Sequence, residues 1–153
     1  MQNTMVRFSR DEIYTYVGSL LLAVNPYKKI GGLYGEEAMA RFSGRGLLNN
    51  PPHIYAIAEE AIRKARHGAG SQSLIISGES GAGKTETNKL ALGYIVWRAR
   101  GGGNAVLSTR ILQANPLLET LGNAKTARNS NSSRFGKCVR LGTHPQTGEP
   151  VCA

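Results

Sequence analysis

The sequence predicts an α/β fold, and three observations carry that prediction. Ser71 to Asn88, SQSLIISGESGAGKTETN, reads as a strand, a glycine-rich loop and the start of a helix. Within it Leu74, Ile75 and Ile76 form a short continuous apolar run, as expected for a central strand covered on both faces. Around it, helical patterns at His53 to Arg66 and from about Lys84 to Arg98 alternate with a strand-like stretch at Ile13 to Val24.

The loop Gly78-Glu79-Ser80-Gly81-Ala82-Gly83-Lys84-Thr85 matches G-x-x-x-x-G-K-[ST]. Its glycines let the backbone curl so that successive N–H groups point inward as an anion cradle. Lys84 can reach the β- and γ-phosphates of a nucleotide, and Thr85 can place its hydroxyl on Mg²⁺. The helix that starts here directs the positive end of its dipole at the phosphates. A glycine-rich turn can match the bare pattern by accident, roughly once in two hundred chains of this length. This match also sits between an apolar run and a helical pattern, the context it requires, so nucleotide binding is the stronger reading. The loop alone does not say which nucleotide, or what its hydrolysis drives.

At 153 residues the chain has the size of one ordinary domain. Its net charge of +9 suits an anionic partner such as a nucleotide, a nucleic acid or an acidic filament. The basic residues are scattered apart from Arg63-Lys64-Ala65-Arg66-His67 and Arg98-Ala99-Arg100, and neither cluster interleaves aromatics, which argues against nucleic acid. Cys138 and Cys152 lack metal-ligand spacing and read as reduced thiols of a cytosolic protein. No apolar run reaches membrane-spanning length, and the start shows no signal-peptide pattern. His53, His67 and His144 are far apart, and surface or helix-end roles are expected for them.

Taken in order, residues 1 to 12 are polar and nondescript. Ile13 to Val24 is rich in β-branched and aromatic residues, with Gly18 marking a turn or bulge before Leu20. Asn25-Pro26 ends it, Tyr27 to Gly35 is a loop, and Glu36 to Phe42 is a short helix. Pro51-Pro52 precedes the helix His53 to Arg66, whose expected apolar stripe is Ile54, Ala58, Ala61 and Ala65. Glu59 and Glu60 stand four residues before Arg63 and Lys64, in the favourable order, and His67-Gly68 closes the helix. The helix after the phosphate loop carries Leu90, Tyr94 and Trp97, with Ala91 and Ile95, on one stripe. Gly101 to Asn104 is a surface loop, and Val106 to Leu121 is helical with an interruption near Asn115-Pro116. Gly122 to Phe135 is polar without periodicity and reads as a loop. Cys138 to Leu141 resumes a strand pattern, His144 to Gly148 is a hairpin turn, and Pro150 to Ala153 starts a returning strand.

Three separated segments resemble one family, the myosin motor domain. IYTYVGSLLLAVNPYK, Ile13 to Lys28, resembles the strand and purine loop ahead of the myosin phosphate loop. LIISGESGAGKTE, Leu74 to Glu86, is similar to the myosin phosphate-loop signature. GNAKTARNSNSSRFGK, Gly122 to Lys137, resembles myosin switch I, and PPHIYAIAEEA, Pro51 to Ala61, fits the helix between them. Kinesins share the phosphate-loop logic, but their switch I follows Ser-Ser-Arg with Ser-His, whereas here Phe135-Gly136-Lys137 follows. Order and spacing agree over nearly the whole chain. In that family this region supplies part of a mixed central sheet with flanking helices and the nucleotide at the strand ends.

The resemblance implies ATP and Mg²⁺ as cofactors and an actin-activated ATPase as the parent, cytoplasmic and associated with the cytoskeleton. By it Asn25 and Tyr34 line the adenine pocket, and Gly78 through Thr85 hold the phosphates. Asn129 contacts the phosphates, Ser132 helps hold the attacking water, and Ser133 joins Thr85 on Mg²⁺. Arg134 pairs with a glutamate of switch II, and Lys84, Ser132, Ser133 and Arg134 together carry the chemistry. Such roles suit phosphoryl transfer, which needs positioning and charge stabilisation more than a strong protein base. Read without the family, the Asn and Ser residues are loop formers and Arg134 is a solvated charge. Two departures stand out: Lys29 to Leu33 is one residue longer than usual, and Ser130 stands where the family has Asn. The Asp-x-x-Gly-Phe-Glu pattern of switch II does not occur, so the expectation is a partial motor domain over residues 1–153, incomplete at both ends. The rival expectations are a stand-alone phosphate-loop ATPase or kinase, and an inert truncated module.

Overall fold

A computed structural model describes residues 2–68, 70–99, 119–127, 129–143 and 150–151. The chain divides into two units, Met1–Ile75 and Ile76–Ala153, and each is described by itself.

The first unit opens with helix α1, Gln2–Ser9, where the polar N-terminus gave no such expectation. The helix buries no residue, so it leaves no apolar stripe to read. Arg7 attaches it instead: its guanidinium donates to the Tyr14 carbonyl at 2.9 Å and the Thr15 hydroxyl at 3.1 Å, and pairs with Glu12 at 3.1 Å. Strands β1, Tyr14–Val17, and β2, Leu20–Ala23, form the expected antiparallel hairpin, with Val17 opposite Leu20. Gly18 has φ +60° at the first position of the two-residue turn, where a II′ hairpin needs glycine.

Helix α2 is Glu36–Phe42, as predicted, and buries Ala38 and Phe42. Helix α3 is Ile54–Arg66, with His53 as its N-cap. Its buried face holds Ile54 and Ala58 of the expected stripe together with Tyr55, Ala56, Glu59 and Ile62. Glu60 makes the expected i,i+4 pair with Lys64 at 3.7 Å and also pairs with Arg63 at 3.0 Å, where Glu59 is the expected partner. Glu59 does something else: it is 2% exposed, and its carboxylate accepts the Gly44 N–H at 2.9 Å. A buried carboxylate needs such a donor, and the loop after α2 supplies it. At the other end His67 donates from Nδ1 to the Arg63 carbonyl at 2.7 Å, and Gly68 follows at φ +78°, as the helix-end reading expects.

His53 is at a helix end as expected, but it is buried, not on the surface. Its ring stacks on Phe42 at 4.6 Å and lies 4.5 Å from Tyr55 and 4.9 Å from Tyr14, centroid to centroid. Its Nδ1 accepts the Tyr55 N–H at 3.0 Å, and its Nε2 donates to the Leu33 carbonyl at 3.2 Å. This fixes a neutral ring with the proton on Nε2. Burial is the main reason its pKa is pushed down to about 4; the Leu33 carbonyl opposes the shift and the Arg41 charge adds to it.

In the second unit helix α4, Lys84–Ala99, buries Ala91, Leu92, Tyr94 and Val96. Tyr94 and Ala91 lie on the predicted stripe, while Leu90, Ile95 and Trp97 are only part-buried. Residues 119–122 are helical, in line with the end of the expected second helix. The rest of that helix, the Gly101 to Asn104 loop and the His144 to Gly148 turn lie outside the described residues. Strands β3, Asn123–Ala124, and β4, Ser132–Ser133, pair antiparallel, so the polar stretch is a short hairpin around a loop. Strands β5, Gly142–Thr143, and β6, Pro150–Val151, pair antiparallel on either side of the expected turn.

Two strand expectations fail. Leu74 to Ile76 forms no strand, and Ile75 is 90% exposed. A strand exists only through its ladder partners, and the three two-stranded sheets among the described residues offer it none, so no central mixed sheet is seen there. Cys138 to Leu141 is also irregular, and pairing begins one residue later at Gly142.

The buried histidine makes stability depend on pH. Between about pH 4 and 6.5 the unfolded chain binds a proton at this position that the folded chain refuses. Stability should therefore hold above pH 6.5 and fall as pH drops through about 4, by up to about 3 kcal/mol once titration is complete. Urea unfolding followed by circular dichroism across this range measures it. His53→Asn, which keeps a capping side chain, should flatten the profile, and an equally steep profile in that variant would exclude His53 as the cause.

Candidate functional site

The phosphate loop is ordered by glycine conformations and by its own lysine. Gly78, Gly81 and Gly83 have φ of 156°, 85° and 93°, a region that L side chains rarely adopt. At Gly78 a Cβ would also press on the Ala82 Cβ at 3.2 Å. The Lys84 ammonium donates to the carbonyls of Gly78 at 2.6 Å and Glu79 at 2.8 Å, which leaves its third N–H for another acceptor. The first helical bond of α4 runs from the Thr87 N–H to the Gly83 carbonyl at 2.9 Å. The N–H groups of Gly83, Lys84, Thr85 and Glu86 therefore have no partner within the helix and point out of its N-terminus. Thr85 is the second residue of this helix and is part-buried.

Residues 122–127 and 129–135 form a hairpin closed on itself. The Arg134 N–H donates to the Gly122 carbonyl at 2.9 Å beyond the β3–β4 pair. Gly122 is packed so tightly that a Cβ there would lie 1.7 Å from Cε1 of Phe135. Asn123 donates from its amide to Oδ1 of Asn131 at 2.9 Å, and the Asn131 N–H donates to Oδ1 of Asn129 at 3.0 Å. Thr126 and Asn129 close the tip through their backbones, the Thr126 N–H reaching the Asn129 carbonyl at 2.9 Å. The Ser133 hydroxyl donates to the Phe135 carbonyl at 3.2 Å, and Arg134 is exposed.

The hairpin meets the phosphate loop at one hydroxyl pair. Ser132 is 3% exposed, and its Oγ lies 3.1 Å from Oγ of Ser80. The structure thus joins two expected site residues that are far apart in sequence. Asn25 and Tyr34 belong to the first unit and are described within it. Oδ1 of Asn25 accepts the Tyr27 N–H at 3.0 Å and closes a turn. The Tyr34 hydroxyl lies 2.9 Å from that of Tyr14, and its ring lies 5.6 Å from His53.

A magnesium nucleotide fits this donor set. The loop presents an ammonium and helix-end N–H groups to an anion, and Thr85 and Ser133 carry hydroxyl oxygens for a hard cation. Among the described residues no group of three or more His, Cys, Asp or Glu is placed to hold a metal.

The Myosin head (motor domain) family model matches residues 1–152. The chain belongs to that family. It is 50% identical over 141 residues to "Myosin heavy chain 95F" of Drosophila melanogaster, which covers 92% of this chain and 11% of the relative. It is 51% identical over 141 residues to "Unconventional myosin-VI" of Homo sapiens, with the same coverage, and 47% identical over 146 residues to "Myosin-13" of Arabidopsis thaliana, covering 92% of this chain and 10% of the relative. The chain thus spans about a tenth of the length of the curated relatives it matches. Among its described residues no helix is long and apolar enough to cross a membrane.

In this myosin chain the sequence reading missed two parts of the site, the attachment of Phe135 to Gly122 and the pairing of Ser80 with Ser132. The only sequence signal for the first was a glycine followed at a distance by an aromatic residue. Gly122→Ala should push the Phe135 ring away and open the hairpin. With an overpacking penalty of about 1–3 kcal/mol, exchange of the Arg134 amide should speed up roughly tenfold to a hundredfold. Unchanged exchange would show that the ring moves aside freely.

Proposed function

We propose that this chain forms the ATP-binding part of an actin-based motor whose whole protein hydrolyses ATP to drive movement along actin filaments. The observation that supports this most directly is the Ser80–Ser132 contact, which sets the switch I hairpin against the phosphate loop. The family membership supports the motor as parent.

In this reading Lys84 transfers N–H contacts from loop carbonyls to phosphate oxygens, exchanging neutral acceptors for charged ones. The glycine loop and the first turn of α4 hold the remaining phosphate oxygens. Asn129 donates from its amide to the phosphates. Thr85 and Ser133 direct their oxygens at magnesium, which when bound draws negative charge from the β- and γ-phosphates. Ser132 orients the attacking water, Arg134 pairs with an acidic residue of switch II, and Asn25 and Tyr34 contact adenine. The isolated 153 residues bind ATP without running a motor cycle, because they contain no Asp-x-x-Gly-Phe-Glu sequence to close against switch I. The protein works in the cytoplasm on the cytoskeleton.

A titration with a fluorescent ATP analogue tests the site. Lys84→Ala should lose a charge-assisted contact of about 1.5–3 kcal/mol, a tenfold to hundredfold weakening. In the same assay GTP should compete less well than ATP, and Asn25→Ala should narrow that gap. Equal binding by wild type and Lys84→Ala would remove the nucleotide assignment, and equal competition would remove the adenine contacts.

Phosphate release by the purified chain, with and without filamentous actin, tests the second half. Without a switch II partner one positioned donor set is missing, which corresponds to about a hundredfold to a thousandfold in rate. Slow release, unchanged by actin, is expected. Robust release accelerated by actin would overturn this half of the proposal.

A further inference from the structure

A second attachment joins the switch I hairpin to the phosphate-loop helix, and it is ionic. Oε1 of Glu119 lies 3.5 Å from the Lys89 ammonium, on α4, and 3.8 Å from the Lys137 ammonium, just past the hairpin. The Glu119 and Lys137 side chains are only 17% and 15% exposed. Oε1 itself is shut off from solvent and has no hydrogen bond of good geometry, so the two ammoniums are what offset its burial. Lys89 in turn holds Glu86 at 3.0 Å, so the charges alternate as Glu86, Lys89, Glu119, Lys137, running from an exposed end to a buried one. At the buried end the Lys137 ammonium also stands 5.5 Å over the Phe135 ring, the same ring that packs on Gly122.

We propose that Glu119 is a positioning residue that clamps residues 132–137 to the phosphate-loop helix through Lys89 and Lys137, and so sets where Ser132, Ser133 and Arg134 stand against the phosphate loop. The Ser80–Ser132 hydroxyl pair is too weak to do this alone, because one neutral hydrogen bond contributes about 1 kcal/mol. The clamp acts from the opposite end of the same short segment, so the two attachments together fix its position and its direction. Removing the carboxylate leaves two ammoniums facing each other across a neutral group, which drives α4 and the hairpin apart. The consequence for nucleotide rests on the ATP-site reading above; the clamp itself does not.

Cys138 is a free, exposed thiol next to Lys137 and reports on the clamp directly. In a Cys152→Ser background a nitroxide spin label on Cys138 is read without nucleotide. Glu119→Gln and Lys137→Met should each shift its spectrum towards faster motion, Glu119→Asp should shift it less, and combining the first two should add little, since both remove one shared interaction. Helix content by circular dichroism should stay at the wild-type level, which a general loss of packing would not allow. If Glu119→Gln fails to fold, Lys137→Met decides, because it leaves Glu119 paired with Lys89. An unchanged spectrum in Lys137→Met, or shifts that simply add, would overturn the clamp. With the fluorescent ATP analogue, Glu119→Gln should bind about tenfold more weakly, a loss of about 1.4 kcal/mol. Failure of the wild type to bind the analogue would refute the ATP-site reading and leave the spin-label result to decide the clamp.

Discussion

A loop proposed to grip phosphate has to hold one shape while leaving N–H groups unspent. Most backbone is ordered by spending donors and acceptors together, as helices and ladders do. Here the order comes largely from the acceptors. The carbonyls of Gly78 and Glu79 are taken by the Lys84 ammonium, and Gly83 gives its carbonyl to the Thr87 N–H and the Thr87 hydroxyl. The N–H groups at the start of α4 are left over, and they all have the sign that attracts an anion. Within the loop the Ala82 N–H is used, donating to the Glu79 carbonyl at 3.1 Å, and it closes the turn. Glycine is what makes this possible, because a side chain at Gly78 would press on Ala82 and the positive φ values would be strained.

The hairpin proposed as switch I follows the same rule side chain by side chain. Asn129 spends its oxygen on the Asn131 N–H and keeps its NH₂ as the donor, which suits a phosphate. Ser133 spends its proton on the Phe135 carbonyl and keeps its lone pairs, which suit a cation. The loop-forming reading and the ligand-binding reading of these polar residues are therefore two halves of one arrangement. Each residue orders the backbone with one end and keeps the end whose polarity matches the proposed ligand.

Much of this was legible in the sequence because it is local. The helix α2, the end of α3, the start of α4 and the turn at Gly18 are each decided by residues within a few positions, and their signals are strong. The G-x-x-x-x-G-K-[ST] match and the segment that resembles switch I were legible as motifs. What escaped was set by contacts between distant residues. Glu59 has the spacing of a surface ion pair, and only the fold reveals that Gly44 needs its carboxylate. Helix α1 has no apolar stripe, because a single arginine holds it. Leu74 to Ile76 has the composition of a strand, but composition cannot supply the partner that makes a strand a strand.

The polar residues inside the first unit show why such long-range contacts concentrate there. Between the hairpin and α3 the chain makes turns whose backbone groups cannot all pair with one another. Helix α3 supplies their partners: His53 takes the Leu33 carbonyl, Glu59 the Gly44 N–H, and Glu60 the Leu47 N–H at 3.3 Å. Just ahead of it Asn50 donates to the carbonyls of Arg45 and Gly46, each at 3.2 Å. Apolar contacts alone would allow these loops to slide, since burial has no direction, whereas a buried donor and its acceptor permit one register only. The loop that carries Tyr34 is held in this way, with Leu33 on His53 and the Tyr34 hydroxyl on Tyr14. A residue proposed to meet adenine is thus placed by a buried histidine, and the neutrality of that histidine is a condition for the loop's position. Protonating it would turn Nδ1 into a second donor facing the Tyr55 N–H and break the cap of α3.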